Sequence, residues 1–222
     1  MCESRVINII WYYINNKVRQ TKNILRRRML RNRDICLLSN NCNGAMILHD
    51  LGLRFNSPFV NLWLEADDFV KYLSNIEHYR NCKLTFVNNA LYNYPVGKLD
   101  DIMIYFMHYK NEEQAQTKWE QRSRRIDIGH LFIIMTEKEN CSYNTLIKFD
   151  SLPYQNKVVL THKSYSEIKS SFYIKGFEDQ KELGILRILK KGKYSEKGIM
   201  TILISLVFST MVRKYKNTLF RA

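Results

Sequence analysis

The stretch that most constrains this chain is residues 33–51, RDICLLSNNCNGAMILHDL. An apolar run at 35–38 is followed at once by Ser39, Asn40, Asn41, Cys42 and Gly44, and then by apolar residues at helical spacing. A short apolar run that breaks into small polar residues and resumes with a helical period marks a buried parallel strand turning into a helix. In open α/β sheets, ligands bind beyond the carboxyl ends of the strands, where the next helix offers unpaired N–H groups and a positive dipole end. The turn at 39–44 is therefore the first place to look for a site.

The rest of the chain repeats the alternation. Apolar or β-forming runs fall at 59–64, 83–87, 102–107, 131–135 and 157–160. Between them, residues 66–79 read as a helix with Glu65, Asp67 and Asp68 at its start, 111–124 as a polar helix capped by Asn111, and 143–149 as a third. Residues 94–97, with Pro95 and Gly97, read as a turn, and 172–174 and 185–189 as edge strands. This pattern predicts an α/β fold: a mainly parallel, Rossmann-like three-layer sheet with helices on both faces. A basic amphipathic helical extension at 1–33 precedes the domain at 34–190, and an apolar and basic C-terminal helix follows at 191–222.

The length suits one such domain and is too short for two of ordinary size. Charge is distributed unevenly: residues 1–33 hold nine Lys/Arg against one acid, 181–222 ten against two, and 34–180 sixteen against eighteen. Nucleic acid is disfavoured as a partner, because a groove that tracks it would place Lys/Arg on the folded domain. Basic ends suit an anionic membrane surface instead. The apolar run at 198–212 is shorter than the roughly 20 residues that span a bilayer, and fits an interfacial anchor, a core helix or a packing surface. Five cysteines with no CxxC pair indicate a reducing compartment, and the order of charge and apolar residues at the N-terminus is the reverse of a signal peptide. A cytoplasmic protein, peripheral to the inner face of the membrane, is expected.

If these strands share one parallel sheet, their carboxyl ends gather Ser39, Asn40, Asn41 and Cys42 with His108, Tyr109, Thr136 and His162. A thiol at a helix N-terminus has its thiolate favoured by the dipole, and an imidazole can take its proton. Cys42 is thus the candidate nucleophile and His108 the base; Ser39 and Asn41 would orient groups, and the N–H groups around Gly44 would hold an oxyanion. Trp119, Arg122 and Arg125, on successive helical turns, can stack on a sugar and grip a phosphate or carboxylate. The blander alternatives are an inert cysteine at a tight turn, a structural histidine and a solvated basic helix face. Asp100 and Asp101 precede the run at 102–107 and read as a solvated turn. No GxGxxG, Walker, HExxH or GxSxG pattern occurs and the cysteines lack zinc spacing, so no cofactor is named and no metal is expected.

The series Ser39-Asn40-Asn41-Cys42-x-Gly44, Asn56-Ser57-Pro58-Phe59, Tyr94-Pro95-x-Gly97 with Asp101, His108-Tyr109, Trp119-x-x-Arg122-x-x-Arg125-Ile126 and Phe149-Asp150-x-Leu152-Pro153-Tyr154-x-Asn156-Lys157 resembles a bacterial family of unknown function. That family recurs in exopolysaccharide and capsule biosynthesis loci, and the resemblance covers about residues 34–165. It implies an α/β domain working on cell-surface polysaccharide. One departure is Asn43 and Ala45, where the family often carries an aromatic residue and a second glycine.

Together these features lead to the expectation of a transferase of polysaccharide biosynthesis that places an acyl group on a lipid-linked or polymeric sugar at the membrane surface. A non-catalytic sugar-binding or scaffold protein, and a glycosyl or phosphosugar transferase, are the alternatives. A second copy of the chain or another polysaccharide enzyme would be its protein partner.

Overall fold

The computed structural model describes residues 20, 21, 23–25, 27, 28, 30, 33–138 and 140–183. The expected helix at 191–222, the edge strand at 185–189 and most of the extension at 1–33 lie outside the described residues. Residues 20, 21, 23–25, 27 and 28 are helical. Among the described residues no helix is long and apolar enough to cross a membrane.

In chain order the elements are β1 (Cys36–Ser39), α1 (Asn43–Leu51), α2 (Ala66–Ser74), α3 (Ile76–Asn81), β2 (Leu84–Val87), β3 (Val96–Leu99), β4 (Ile102–Tyr105), α4 (Glu112–Ser123), β5 (Leu131–Thr136), α5 (Tyr143–Ser151), β6 (Lys157–Thr161) and β7 (Ser171–Tyr173). The chain is a mixed α/β protein, and its described residues form two sheets. One is parallel throughout, in the order β1-β5-β6-β7, with Cys36 opposite Leu131 and Ile133 opposite Lys157. β1 and β5 are apolar runs because both of their faces are buried, and alternate residues of the sheet enter different cores. Cys36, Leu38, Ile133, Met135 and Val159 pack with residues of α2, α4, α5 and the second sheet; Leu37, Phe132, Ile134 and Leu160 pack with Ile47, Leu48 and Leu51 of α1.

The second sheet corrects the expectation of a single, mainly parallel one. β2, β3 and β4 form an antiparallel meander, so the runs at 83–87 and 102–107 never join the parallel sheet. The segment at 94–97 looked like a turn because it holds Pro95 and Gly97, yet Val96 and Gly97 open β3. A Cβ on Gly97 would lie 2.7 Å from Leu84 Cδ1 and 2.8 Å from Phe106 Cε2, so this glycine lets a strand pack closely. The reversal comes three residues later at Asp100, whose φ of 56° is left-handed. The run at 59–64 is not a strand either: only Trp63 pairs, in a single bridge to Tyr105.

Helices follow their capping signals. Asn111 accepts the Gln114 N–H at 2.9 Å and starts α4 as expected. Ser142 and Thr145 form a reciprocal capping box on α5. The helix expected over 66–79 is divided at Asn75, which ends α2 and accepts the His78 N–H at 3.2 Å to cap α3.

Candidate active site beyond β1

The turn after β1 is held mainly by its own side chains. Ser39 and Asn40 are fully buried. The Asn40 amide donates to the Thr136 carbonyl at 3.1 Å and accepts the Thr136 N–H at 2.9 Å, tying the end of β1 to the end of β5. Asn41 Oδ1 accepts the Asn43 N–H at 3.0 Å in a local Asx turn, and Asn43 Nδ2 donates to the Thr136 hydroxyl at 3.2 Å. Cys42 occupies the N-cap position of α1 without a side-chain capping bond, and its half-buried Sγ lies 3.9 Å from the Leu62 carbonyl.

Gly44 serves packing. A Cβ there would sit 2.7 Å from Ser39 Cβ, closer than real side chains approach, so the helix can lie against the strand only with glycine. Gly44→Ala is expected to cost about 1–3 kcal/mol by overpacking. Urea unfolding followed by circular dichroism measures it, and an unchanged midpoint would contradict the close approach.

His108 reaches the turn by way of a loop, although β4 belongs to the other sheet. Trp63 exchanges both backbone hydrogen bonds with Tyr105, at 3.0 and 2.9 Å, while the Leu64 N–H donates to the Asn40 carbonyl at 2.9 Å. The loop is thereby fastened to β4 and to the β1 turn at once. The His108 N–H donates to the Asn61 carbonyl at 3.3 Å, and Asn61 has a left-handed φ of 62°, which asparagine tolerates better than most residues. As a result Cys42, His108 and Asn61 line one cavity with Arg27, Asp50 and Phe55, of about 1020 Å³. That is at the upper end of small-molecule sites.

The walls of this cavity are polar and partly basic. Arg27 donates from Nε to the Asp50 carbonyl at 2.9 Å and from Nη2 to the His49 carbonyl at 3.0 Å. It thus places a cation on the negative, carbonyl-rich end of α1. Arg122 and Arg125 are absent from the cavity wall and lie behind it: Arg122 is over the Phe55 ring, 5.6 Å from its centroid, and Arg125 donates to the Phe55 carbonyl at 3.3 Å. Arg122 also donates to the Tyr109 hydroxyl at 2.8 Å, which in turn donates to the Val60 carbonyl at 2.8 Å. Burial pushes the Tyr109 phenol above its ordinary pKa, opposed by the Arg122 charge beside it, so Tyr109 is a neutral positioning group.

Several expected site residues have other work. Trp119 is 2% exposed and meets Phe59 and Phe106 edge to face at 5.8 and 6.1 Å, so it is a core residue and not a sugar platform. Its neighbours at helical spacing, Ala115 and Ser123, are buried on the same face of α4. Ser39, Asn40 and Thr136 are buried; Asn40 and Thr136 hold the strand ends together, and the Ser39 hydroxyl donates to Asn41 Oδ1 at 3.5 Å. His162 is 4% exposed and absent from the cavity wall; its Nδ1 is 2.7 Å from Glu137 Oε2. The same Glu137 oxygen accepts the His162 N–H at 2.8 Å, and Oε1 accepts the Tyr165 hydroxyl at 2.8 Å.

Asn61, Phe55, Asp50 and Arg27 were not foreseen. Asn61 left a trace, as the polar residue that interrupts the run at 59–64. Arg27 left none, because it recognises backbone carbonyls and its sequence neighbours are equally basic.

Comparison with known proteins finds likeness over most of the chain. A model described as a domain of unknown function (DUF1919) matches residues 13–204. A Haemophilus influenzae protein named "Uncharacterized protein" is 47% identical over 171 residues, covering 77% of this chain and 82% of that one.

Proposed function

This chain belongs to the DUF1919 family, and we propose that it transfers an acyl group to a lipid-linked or polymeric sugar in the assembly of cell-surface polysaccharide. The observation that carries the proposal is the shared cavity. Cys42 and His108 follow strands of different sheets, yet one loop holds both at the wall of a space large enough for a sugar. In the first step the Cys42 thiolate attacks the carbonyl carbon of an acyl thioester. The carbon–sulfur bond of the donor breaks, and the leaving thiolate takes the proton that His108 removed from Cys42. In the second step a sugar hydroxyl gives its proton to His108 as its oxygen attacks the acyl-cysteine, and the Cys42 thiolate departs. Arg122 and Arg125 stand behind the Phe55 wall and hold it in place, while Arg27 is the cation on the cavity wall itself and favours an anionic substrate group. The polysaccharide setting rests on the motif series, and the placement at an anionic membrane surface on the basic ends of the chain.

The test is the chemical structure of the surface polysaccharide from cells with and without this protein. Loss of one acyl substituent on an otherwise intact repeat unit is expected; identical polymers would contradict the proposal.

A scaffold role is the second reading, favoured by the internal bonding of Ser39, Asn40 and Thr136. It predicts that deleting residues 1–19, which leaves Arg27 in place, abolishes function while Cys42→Ala does not.

A further inference from the structure

At the other end of β4 from His108, three different ligand types converge. His78 and Cys82 are four residues apart, at the end of α3, and therefore share one helix face. Asp100 comes from the β3–β4 turn. His78 Nε2 lies 2.8 Å from Asp100 Oδ2 and 3.4 Å from Cys82 Sγ, and one ligand atom from each residue falls within 4.8 Å of the other two. Zinc bonds of about 2.0–2.1 Å to nitrogen or oxygen and 2.3 Å to sulfur, at tetrahedral angles, put ligand atoms about 3.3–3.6 Å apart. The cluster is already near that spacing, and all three side chains reach solvent.

We propose that His78, Cys82 and Asp100 bind a zinc-class divalent cation that clamps α3 to the β3–β4 hairpin, with solvent completing the shell. Imidazole, thiolate and carboxylate together suit zinc better than the hard cations magnesium and calcium. The support is built in. Asp101, next to Asp100, accepts the Tyr79 hydroxyl at 2.7 Å and the Lys71 ammonium at 3.0 Å, which fixes the turn against α3 and leaves Asp100 beside His78. The cysteines alone showed no zinc spacing because the second ligand on this helix is a histidine.

The test titrates the full-length protein, reduced and free of metal, with Co²⁺ alone as the probe, followed by the thiolate-to-cobalt absorption band and by the thermal midpoint with and without Zn²⁺. One equivalent giving the band, and a midpoint raised by Zn²⁺, are expected. Cys82→Ser and His78→Gln should lose both effects while keeping the parent circular dichroism spectrum, and Cys42→Ala should keep both. Absence of the band in the parent protein, its persistence in Cys82→Ser, or its loss in Cys42→Ala would overturn the proposal. A plain hydrogen-bonded cluster gives the first of these results.

Discussion

Glu137→Ala is expected to remove about 3 kcal/mol of folding stability, because three donors lose one buried acceptor together. Glu137 and His162 are each 4% exposed, and the Glu137 carboxylate serves three donors: the His162 N–H, the His162 ring and the Tyr165 hydroxyl. Truncation leaves all three without that acceptor in a place water does not readily reach. Burial first, and then the hydrogen bond to Glu137, hold the Tyr165 phenol far above its ordinary pKa, so it remains a donor throughout the neutral range. The location matters as well, because the Glu137 carbonyl accepts the Leu183 N–H at 2.8 Å and the Glu137 N–H donates to Leu160 at 2.9 Å. Glu137→Gln keeps an acceptor oxygen and should recover a large part of the loss. Urea unfolding of the three proteins measures both effects; a loss below about 1 kcal/mol for the alanine variant would mean that water replaces the carboxylate.

Cys42→Ala is expected to abolish covalent acylation with little change in stability. Incubated with acetyl-coenzyme A as a probe thioester, the intact protein should gain the mass of one acetyl group, and the Cys42→Ala variant none. Because the thiol is half-buried and outside the two apolar cores, its removal should cost no more than about 1 kcal/mol, so unfolding would not account for the result. His108→Ala should form the adduct about 10²–10⁴-fold more slowly, the range that general-base catalysis contributes. Equal acylation of the parent and the Cys42→Ala protein would locate the reactive group elsewhere.

The parallel sheet was legible because its strands are buried on both faces and so stand out as unbroken apolar runs, as 35–38 and 131–135 do. The antiparallel sheet was not. β2 and β4 have burial patterns that read as short strands of either kind, and the strand that joins them, β3, contains Gly97, which signals a turn to any local rule. Cys42 and His108 line one cavity, but not by the route that the strand order implied. Both do follow strands, but each lies against the loop that Trp63 and Leu64 fasten on either side, and not along one sheet edge. Trp119 and His162 were misassigned because sequence shows that an aromatic or an imidazole is present, but not whether it faces the core. The partner of His162, Glu137, lies 25 positions away and has no pattern of its own.

The most direct test of the central claim, that Cys42 and His108 act together on a substrate in the shared cavity, is acyl-substituent analysis of surface polysaccharide from cells whose only copy of this protein is the parent, Cys42→Ala or His108→Ala form, at matched protein levels. The parent polymer should carry the substituent, and both variants should lose it. A full substituent in both variants would contradict the shared site, and loss in His108→Ala alone would contradict the covalent step at Cys42.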